Sequence, residues 1–225
     1  MVPVLLMLVT ASAACAAGEI KVGPKLEEFH LSRGQERLAA GDWVEAETSF
    51  SRALEIDSAL ARAYAGRGAA RNGLEQYNGA VTDLDTAIKL DPEHVEAYVD
   101  RGYARYKNGQ FVFYPTGQYD LAIADLSRAI ELDSKLIKAY LFRGFAYEGR
   151  SQHDLAIRDL DLVIEKEPGN AAAYAYRGFA FLAKGNTDKA TADAVKVKEL
   201  TSEKELVSMA ERIMKLAEQG SCGCQ

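Results

Sequence analysis

Residues 61–94 read ARAYAGRGAARNGLEQYNGAVTDLDTAIKLDPEH, and the rest of the chain keeps returning to this stretch. Its landmark Gly68 recurs as Gly34, Gly102, Gly144 and Gly178, so that successive glycines lie 34, 34, 42 and 34 residues apart. Ala46, Ala80, Ala122, Ala156 and Ala190 keep the same separations, and Ala53, Ala87, Ala129, Val163 and Val197 form a third column. One insertion of eight residues accounts for the single 42. A fixed period of this length is the mark of a repeat array, in which each unit is one supersecondary motif too small to bury its own apolar face.

Each unit reads as two helices. The first carries an aromatic residue and then Arg-Gly, as in Tyr64…Arg67-Gly68, Tyr98…Arg101-Gly102, Tyr140…Arg143-Gly144 and Tyr174…Arg177-Gly178, with His30…Arg33-Gly34 in the first unit. The second carries Ala46/Phe50/Ala53, Ala80/Leu84/Ala87 or Ala122/Leu126/Ala129. Spacings of three and four place these on one helical stripe. Glycine inside a helix costs about 1 kcal/mol relative to alanine, and it recurs because a missing side chain lets two helices approach closely. Leu90-Asp91-Pro92, Ile56-Asp57-Ser58, Leu132-Asp133-Ser134 and Lys166-Glu167-Pro168 end the second helices, where proline bars helical continuation.

This 34-residue, two-helix pattern resembles the tetratricopeptide repeat family. The resemblance implies an all-α, right-handed solenoid of five helix-turn-helix repeats at 27–60, 61–94, 95–136, 137–170 and 171–204, with the insertion at 111–118. The chain departs from the family at Arg67, Arg101, Arg143 and Arg177, where a leucine is usual, and at Ala194, where a bulky residue is expected. Ser202-Glu203-Lys204-Glu205 reads as a capping box opening a last helix over 205–219. Its apolar stripe, Leu206, Met209, Ile213 and Leu216, suits a cap over the open end of a stacked array.

Asp83, Asp125, Asp159 and Asp193 share one register of the second helices, as the four arginines share one of the first. These read as structural ion pairs, since a guanidinium can grip a carboxylate at two points.

In the family the first helices line a concave surface. Counting from the start of each repeat, the second, fifth, ninth and twelfth residues are expected there. The late repeats then supply Glu96, Val99, Tyr103, Tyr106, Lys138, Leu141, Phe145, Glu148, Ala175, Phe179 and Leu182, and the early ones Glu28, Leu31, Gln35, Leu38, Arg62, Ala65, Ala69 and Asn72. The expected partner-binding set is the apolar late half: Val99, Tyr103, Tyr106, Leu141, Phe145, Phe179 and Leu182. Phe111, Phe113 and Tyr114 in the insertion are either a second contact or a flap folded on the repeat edge. The Lys and Asn pairs of repeats that clamp acidic chaperone tails are missing, since Leu31/Gln35, Ala65/Ala69, Val99/Tyr103, Leu141/Phe145 and Ala175/Phe179 stand there.

The 225 residues are 48 % hydrophobic and 27 % charged with a net charge of −6, which offers no electrostatic footprint for nucleic acid. Val2–Val9 is a short apolar run followed by small residues, with Ala14-Cys15-Ala16 and Cys15-Ala16-Ala17 as cleavage sites. Residues 1–17 therefore read as a signal peptide, 18–26 as a lead-in, and the protein as periplasmic or secreted. Lipidation at Cys15 would tether it to a membrane instead, although Ser12 departs from the lipoprotein pattern. His30, His94 and His153 fall in an aromatic slot, a turn and a helix start, and form no metal set. Phosphate loops and nucleophile elbows are absent from the sequence, and no cofactor is expected. The expectation is a non-enzymatic scaffold or adaptor binding a peptide or helical segment of a protein partner, in an oligomeric state the sequence leaves open. The alternative is a redox or metal carrier acting through Cys222-Gly223-Cys224 in the tail 220–225.

Overall fold

A computed structural model describes residues 25–110 and 117–221. The leader with Cys15, the insertion aromatics Phe111, Phe113 and Tyr114, and the Cys222/Cys224 tail lie outside the described residues. Among the described residues there are eleven helices and no strand. They pair as α1 (Leu26–Ala39) with α2 (Trp43–Ile56), α3 (Ala61–Gly73) with α4 (Tyr77–Leu90), and α5 (Val95–Gly109) with α6 (Gly117–Leu132). Then come α7 (Ile137–Gly149) with α8 (His153–Lys166), α9 (Ala171–Ala183) with α10 (Thr187–Leu200), and α11 (Lys204–Ser221) at the end.

The four described turns inside the hairpins share one geometry. Asp42, Gln76, Gln152 and Asn186 donate their backbone N–H to the carbonyls of Arg37, Arg71, Tyr147 and Phe181, at 2.9, 2.8, 2.8 and 2.9 Å. The residue before each donor is left-handed: Gly41 and Gly185 at φ 74°, Glu75 at 59° and Ser151 at 61°. Side chains resist this region, at about 1–2 kcal/mol for an L-residue. Ser151→Gly is therefore expected to stabilise the protein by roughly 0.5–1 kcal/mol after glycine's own entropy is counted. A urea midpoint that moves up with unchanged slope checks it.

Between repeats the turn is made by aspartate as well as by proline. Asp57, Asp91 and Asp133 accept the N–H two residues on, from Ala59, Glu93 and Lys135, at 2.9, 3.1 and 2.9 Å. At the start of α11, Thr201 rather than Ser202 takes this part, its hydroxyl accepting the Glu203 N–H at 3.0 Å. The expected capping box is thus displaced, because the chain leaves α10 in extended form at Thr201.

Packing explains the glycine column. A Cβ built on Gly68, Gly102 or Gly144 would lie 2.6, 2.6 or 2.8 Å from the Cγ of Leu84, Leu126 or Leu160. Each leucine thus fills the space left by the glycine of its own hairpin. Phe50 is larger and needs two, Gly34 and Gly66, at 2.7 and 2.3 Å. The fifth repeat has only Ala194 in that register, and its gap is closed from outside: Ile213 Cδ1 of α11 lies 3.0 Å from a Cβ on Gly178. Ala210, Ile213 and Ala217 form the buried face of α11, whereas Leu216 is exposed, so the expected stripe is narrower than its sequence suggests.

The arginine and aspartate columns meet. Arg67, Arg101, Arg143 and Arg177 donate Nε and Nη2 to the two carboxylate oxygens of Asp83, Asp125, Asp159 and Asp193, at 2.6–3.0 Å. Nη1 of each arginine reaches back to the preceding repeat, to Ser51 at 3.3 Å, Asp85 at 2.6 Å, Ser127 at 3.1 Å and Asp161 at 2.6 Å. The tyrosine three residues earlier lies under each guanidinium, 5.4–5.5 Å from ring centre to Cζ. Each arginine therefore closes its own hairpin and staples it to the previous one. The first repeat has buried Ser49 in the aspartate register, and Arg33 pairs with Glu45 at 3.3 Å instead.

Odd-numbered helices touch the next odd-numbered helix from α1 through α11, while the even-numbered ones meet only odd-numbered helices. Close approach on one layer and separation on the other bends a stack toward the close layer. The first helices of the repeats therefore form the inner face.

Candidate partner-binding groove

Position five of each repeat packs between helices. Leu31, Ala65, Val99 and Ala175 are all in the core, and Leu141 packs against it. Val99, at 1 % exposure, therefore offers no binding surface. Tyr106 and Phe145, also expected in the groove, are 3 % and 7 % exposed. The reason is that the late inner face fills itself. The Tyr106 hydroxyl meets the Tyr176 hydroxyl at 2.6 Å, across two repeats, and accepts from Gln110 Nε2 at 2.6 Å. Phe145 stacks on Tyr176 with centroids 3.8 Å apart, and Tyr106 contacts Tyr119 and Phe145 at 6.1 and 5.8 Å. Burial pushes the Tyr106 phenol well above its ordinary value and raises that of Tyr176, so both stay neutral hydrogen-bonding groups.

Of the remaining expected residues, Phe179 and Leu182 line a 450 Å³ recess with Glu148 and Leu216, where the Arg212 guanidinium lies 5.8 Å over the Phe179 ring. Tyr103 belongs to a different hollow. It packs on Phe142 at 4.7 Å and on Tyr77 at 6.2 Å. The expected late set is thus divided among a self-filled core, an end recess and a groove nearer the amino terminus.

That groove is a 460 Å³ cavity lined by Gln35, Leu38, Ala39, Trp43, Ala69, Asn72, Gly73, Asp100, Tyr103, Lys138 and Phe142, contributed by α1, α2, α3, α5 and α7. A second lobe of 320 Å³ shares Gln35, Leu38, Ala69 and Asp100 with it and continues to Arg62, Ala65, Gly66, His94 and Glu96. Gly73 admits the indole, since a Cβ there would meet Trp43 Cδ2 at 2.4 Å. Position six supplies Gly66, Asp100 and Phe142, which the count of two, five, nine and twelve passes over. The stripe two, six, nine and thirteen has the same three-and-four spacing, and only packing tells the two apart.

The polar groups of the cavity form a short chain. Asn72 Nδ2 donates to the Asp100 carbonyl at 2.9 Å, while Asn72 Oδ1, buried, has no hydrogen-bond partner among the described residues. Lys138 Nζ lies 3.2 Å from Asp100 Oδ1 and 5.5 Å from the Phe142 ring centre. Burial pushes the Asp100 carboxyl above its ordinary value, and the Lys138 ammonium pulls it back. Arg62, in the second lobe, is held by Glu28 at 3.2 Å.

Among the described residues no group of three or more His, Cys, Asp or Glu is placed to hold a metal ion. Among the same residues no helix is long and apolar enough to cross a membrane.

A family model described as TPR repeat matches residues 73–109 and 112–149. No curated protein matches the chain. Among solved structures, "Crystal structure of MamA protein" is 26 % identical with TM-score 0.63, covering 80 % of this chain and 94 % of that one. "YrrB: a TPR protein with an unusual peptide-binding site" is 24 % identical with TM-score 0.62, covering 81 % and 90 %. A "thermophilic TPR protein" of Thermus thermophilus, TTC0263, is 21 % identical with TM-score 0.64, covering 84 % and 98 %. The model matched over residues 73–109 and 112–149, the helix pairs in constant register and these likenesses agree on the fold: an all-α solenoid of tetratricopeptide-type repeats.

Proposed function

We propose that this protein is an interaction scaffold that seats a segment of a partner polypeptide in the groove between α1 and α7. One observation carries the reading: where Tyr106, Phe145 and Tyr176 fill the inner face with one another, Trp43, Tyr103 and Phe142 wall a 460 Å³ hollow shared by the first four repeats. Aromatic rings around a desolvated pocket are the usual anchors of protein contacts. The likeness to YrrB, whose structure is described as having a peptide-binding site, points the same way. Nothing in this role needs a catalytic step. Export to the periplasm or secretion stands on Val2–Ala17 alone, and fractionation of cells expressing the full chain tests it.

Ala69 lies half-buried on the shared wall of both lobes. Ala69→Arg is expected to fill the hollow and to abolish recovery of a crosslinked partner from native cells. Glu55→Arg, on the exposed side of α2, is expected to leave recovery unchanged. Undiminished recovery by a folded Ala69→Arg protein would exclude the groove.

A further inference from the structure

We propose that the hollow between Trp43 and Phe142 receives an uncharged, apolar segment of the partner, with neighbouring side chains entering its two lobes, and that Lys138 serves to neutralise the wall. The inference rests on the groove being the docking site.

The argument begins with the charges. Asp100 and Glu96 are the acids lining the two lobes, and Lys138 and Arg62 are the bases, so the wall presents no net charge to an occupant. The strongest of these groups are also spent. Lys138 Nζ lies 3.2 Å from Asp100 Oδ1 and 5.5 Å from the Phe142 ring centre, so carboxylate and ring already share a cation. Arg62 is held by Glu28 at 3.2 Å, and exposed Glu96 stands beside His94 at 3.5 Å. A charged ligand would lose its hydration and find its counter-charge already paired. Covering the Asp100–Lys138 pair with hydrocarbon leaves it intact and lowers the dielectric around it, which strengthens the attraction.

The polar atoms that lack partners do not invite a ligand either. Asn72 Oδ1 and His94 Nδ1 have no hydrogen-bond partner among the described residues, but both are buried beneath the wall.

What the hollow offers is apolar surface. Trp43 is 37 % exposed, whereas Tyr77, in the same register of the next repeat, is 7 % exposed. Tyr103 and Phe142 complete the first lobe, and Gly66 with Ala65 floors the second. Leu38 and Ala69 belong to both lobes, so the two spaces adjoin and suit side chains of one segment. Concave apolar surface with paired charges at its border is a receptor for hydrocarbon.

Trp43 is the single tryptophan of the chain, so its emission reports on this hollow directly. The test titrates the full chain with peptides Gly-Ser-X-Ser-X-Ser-Gly, X being phenylalanine, leucine, serine, lysine or glutamate. Calorimetry gives the affinity, and the emission maximum of Trp43 gives the place. Phenylalanine and leucine peptides are expected to bind roughly tenfold or more tighter than serine and to shift the emission to the blue. Lysine and glutamate peptides should bind no tighter than serine. Between about 50 and 500 mM salt the phenylalanine peptide should change its Kd by less than about twofold. Lys138→Gln leaves Asp100 unpaired, and should raise the affinity of the lysine peptide several-fold. Circular dichroism melts confirm folding, and the wild-type series stands without any variant. Equal binding of all five peptides, or preference for a charged one, with a blue shift that Ala69→Arg removes, would overturn the apolar preference and leave the groove standing. Binding that leaves Trp43 emission unchanged and survives Ala69→Arg would remove both. Absence of binding by every peptide, or no gain for the lysine peptide with Lys138→Gln, would each overturn the proposal. So would a sedimentation mass above one chain that Ala69→Arg lowers, since a second copy would then be the occupant.

Discussion

Replacing Ile213 by alanine is expected to lower stability by about 2–5 kcal/mol, a large effect for a residue in the last helix. Its side chain is fully buried and enters the space above Gly178 that Leu84, Leu126 and Leu160 fill in earlier repeats. The fifth hairpin cannot fill that space itself, because Ala194 stands in the leucine register. Ala175, Ala190, Ala194 and Val197 form one buried cluster with Ala210 and Ile213, so the cap completes a core rather than merely covering an end. A rescue separates this account from ordinary cavity formation. Ala194→Leu alone should destabilise by about 1–3 kcal/mol, because Ile213 already occupies the space. In the Ile213→Ala background the same change should restore part of the loss, giving a favourable coupling of about 1 kcal/mol or more. Additive losses in a urea double-mutant cycle would show that the two side chains do not share one site.

The second large effect is expected at Arg143. Arg143→Met should cost about 3–5 kcal/mol, because the change leaves a carboxylate in the structure without its counter-charge. Asp159 has Arg143 as its cation among the described residues, at 2.7 and 3.0 Å. The second repeat supplies its aspartate with a second cation. Arg71 also reaches Asp83, at 2.8 Å, whereas Tyr147 stands in the corresponding place of the fourth repeat. Arg67→Met should therefore cost about half as much, since Arg71 still neutralises Asp83. Thermal and urea unfolding of the two variants side by side decides it. Equal losses would mean that the staple to Ser51 and Ser127, or the tyrosine beneath the guanidinium, outweighs the carboxylate.

The arginine ladder was legible in the sequence because both partners recur with the repeat. What each column touches in the neighbouring repeat was not. The Nη1 partners Ser51, Asp85, Ser127 and Asp161 keep a spacing of 16 residues from their arginines, but only the stacking of the hairpins shows that this column faces the guanidinium. The groove shows the same limit more sharply. Tyr103 stays in it, Val99, Tyr106 and Phe145 leave it, and Asp100, Phe142 and Trp43 enter it. Tyr106 and Tyr176 are 70 residues apart, and their contact depends on how far three stacked hairpins curl.

By itself, the sequence determined the hairpin, its length and its number, because those follow from local rules. Small residues must recur where two helices cross, left-handed residues and aspartates must recur where the chain turns, and each rule acts within about one repeat. Tertiary structure alone decided which rings meet one another and which remain open, and which helix supplies the side chain above Gly178. Those outcomes depend on the rotation between successive hairpins, which sets the facing stripe of every inner helix. Two stripes of equal spacing compete for that position, and only the packing of neighbouring helices chooses between them.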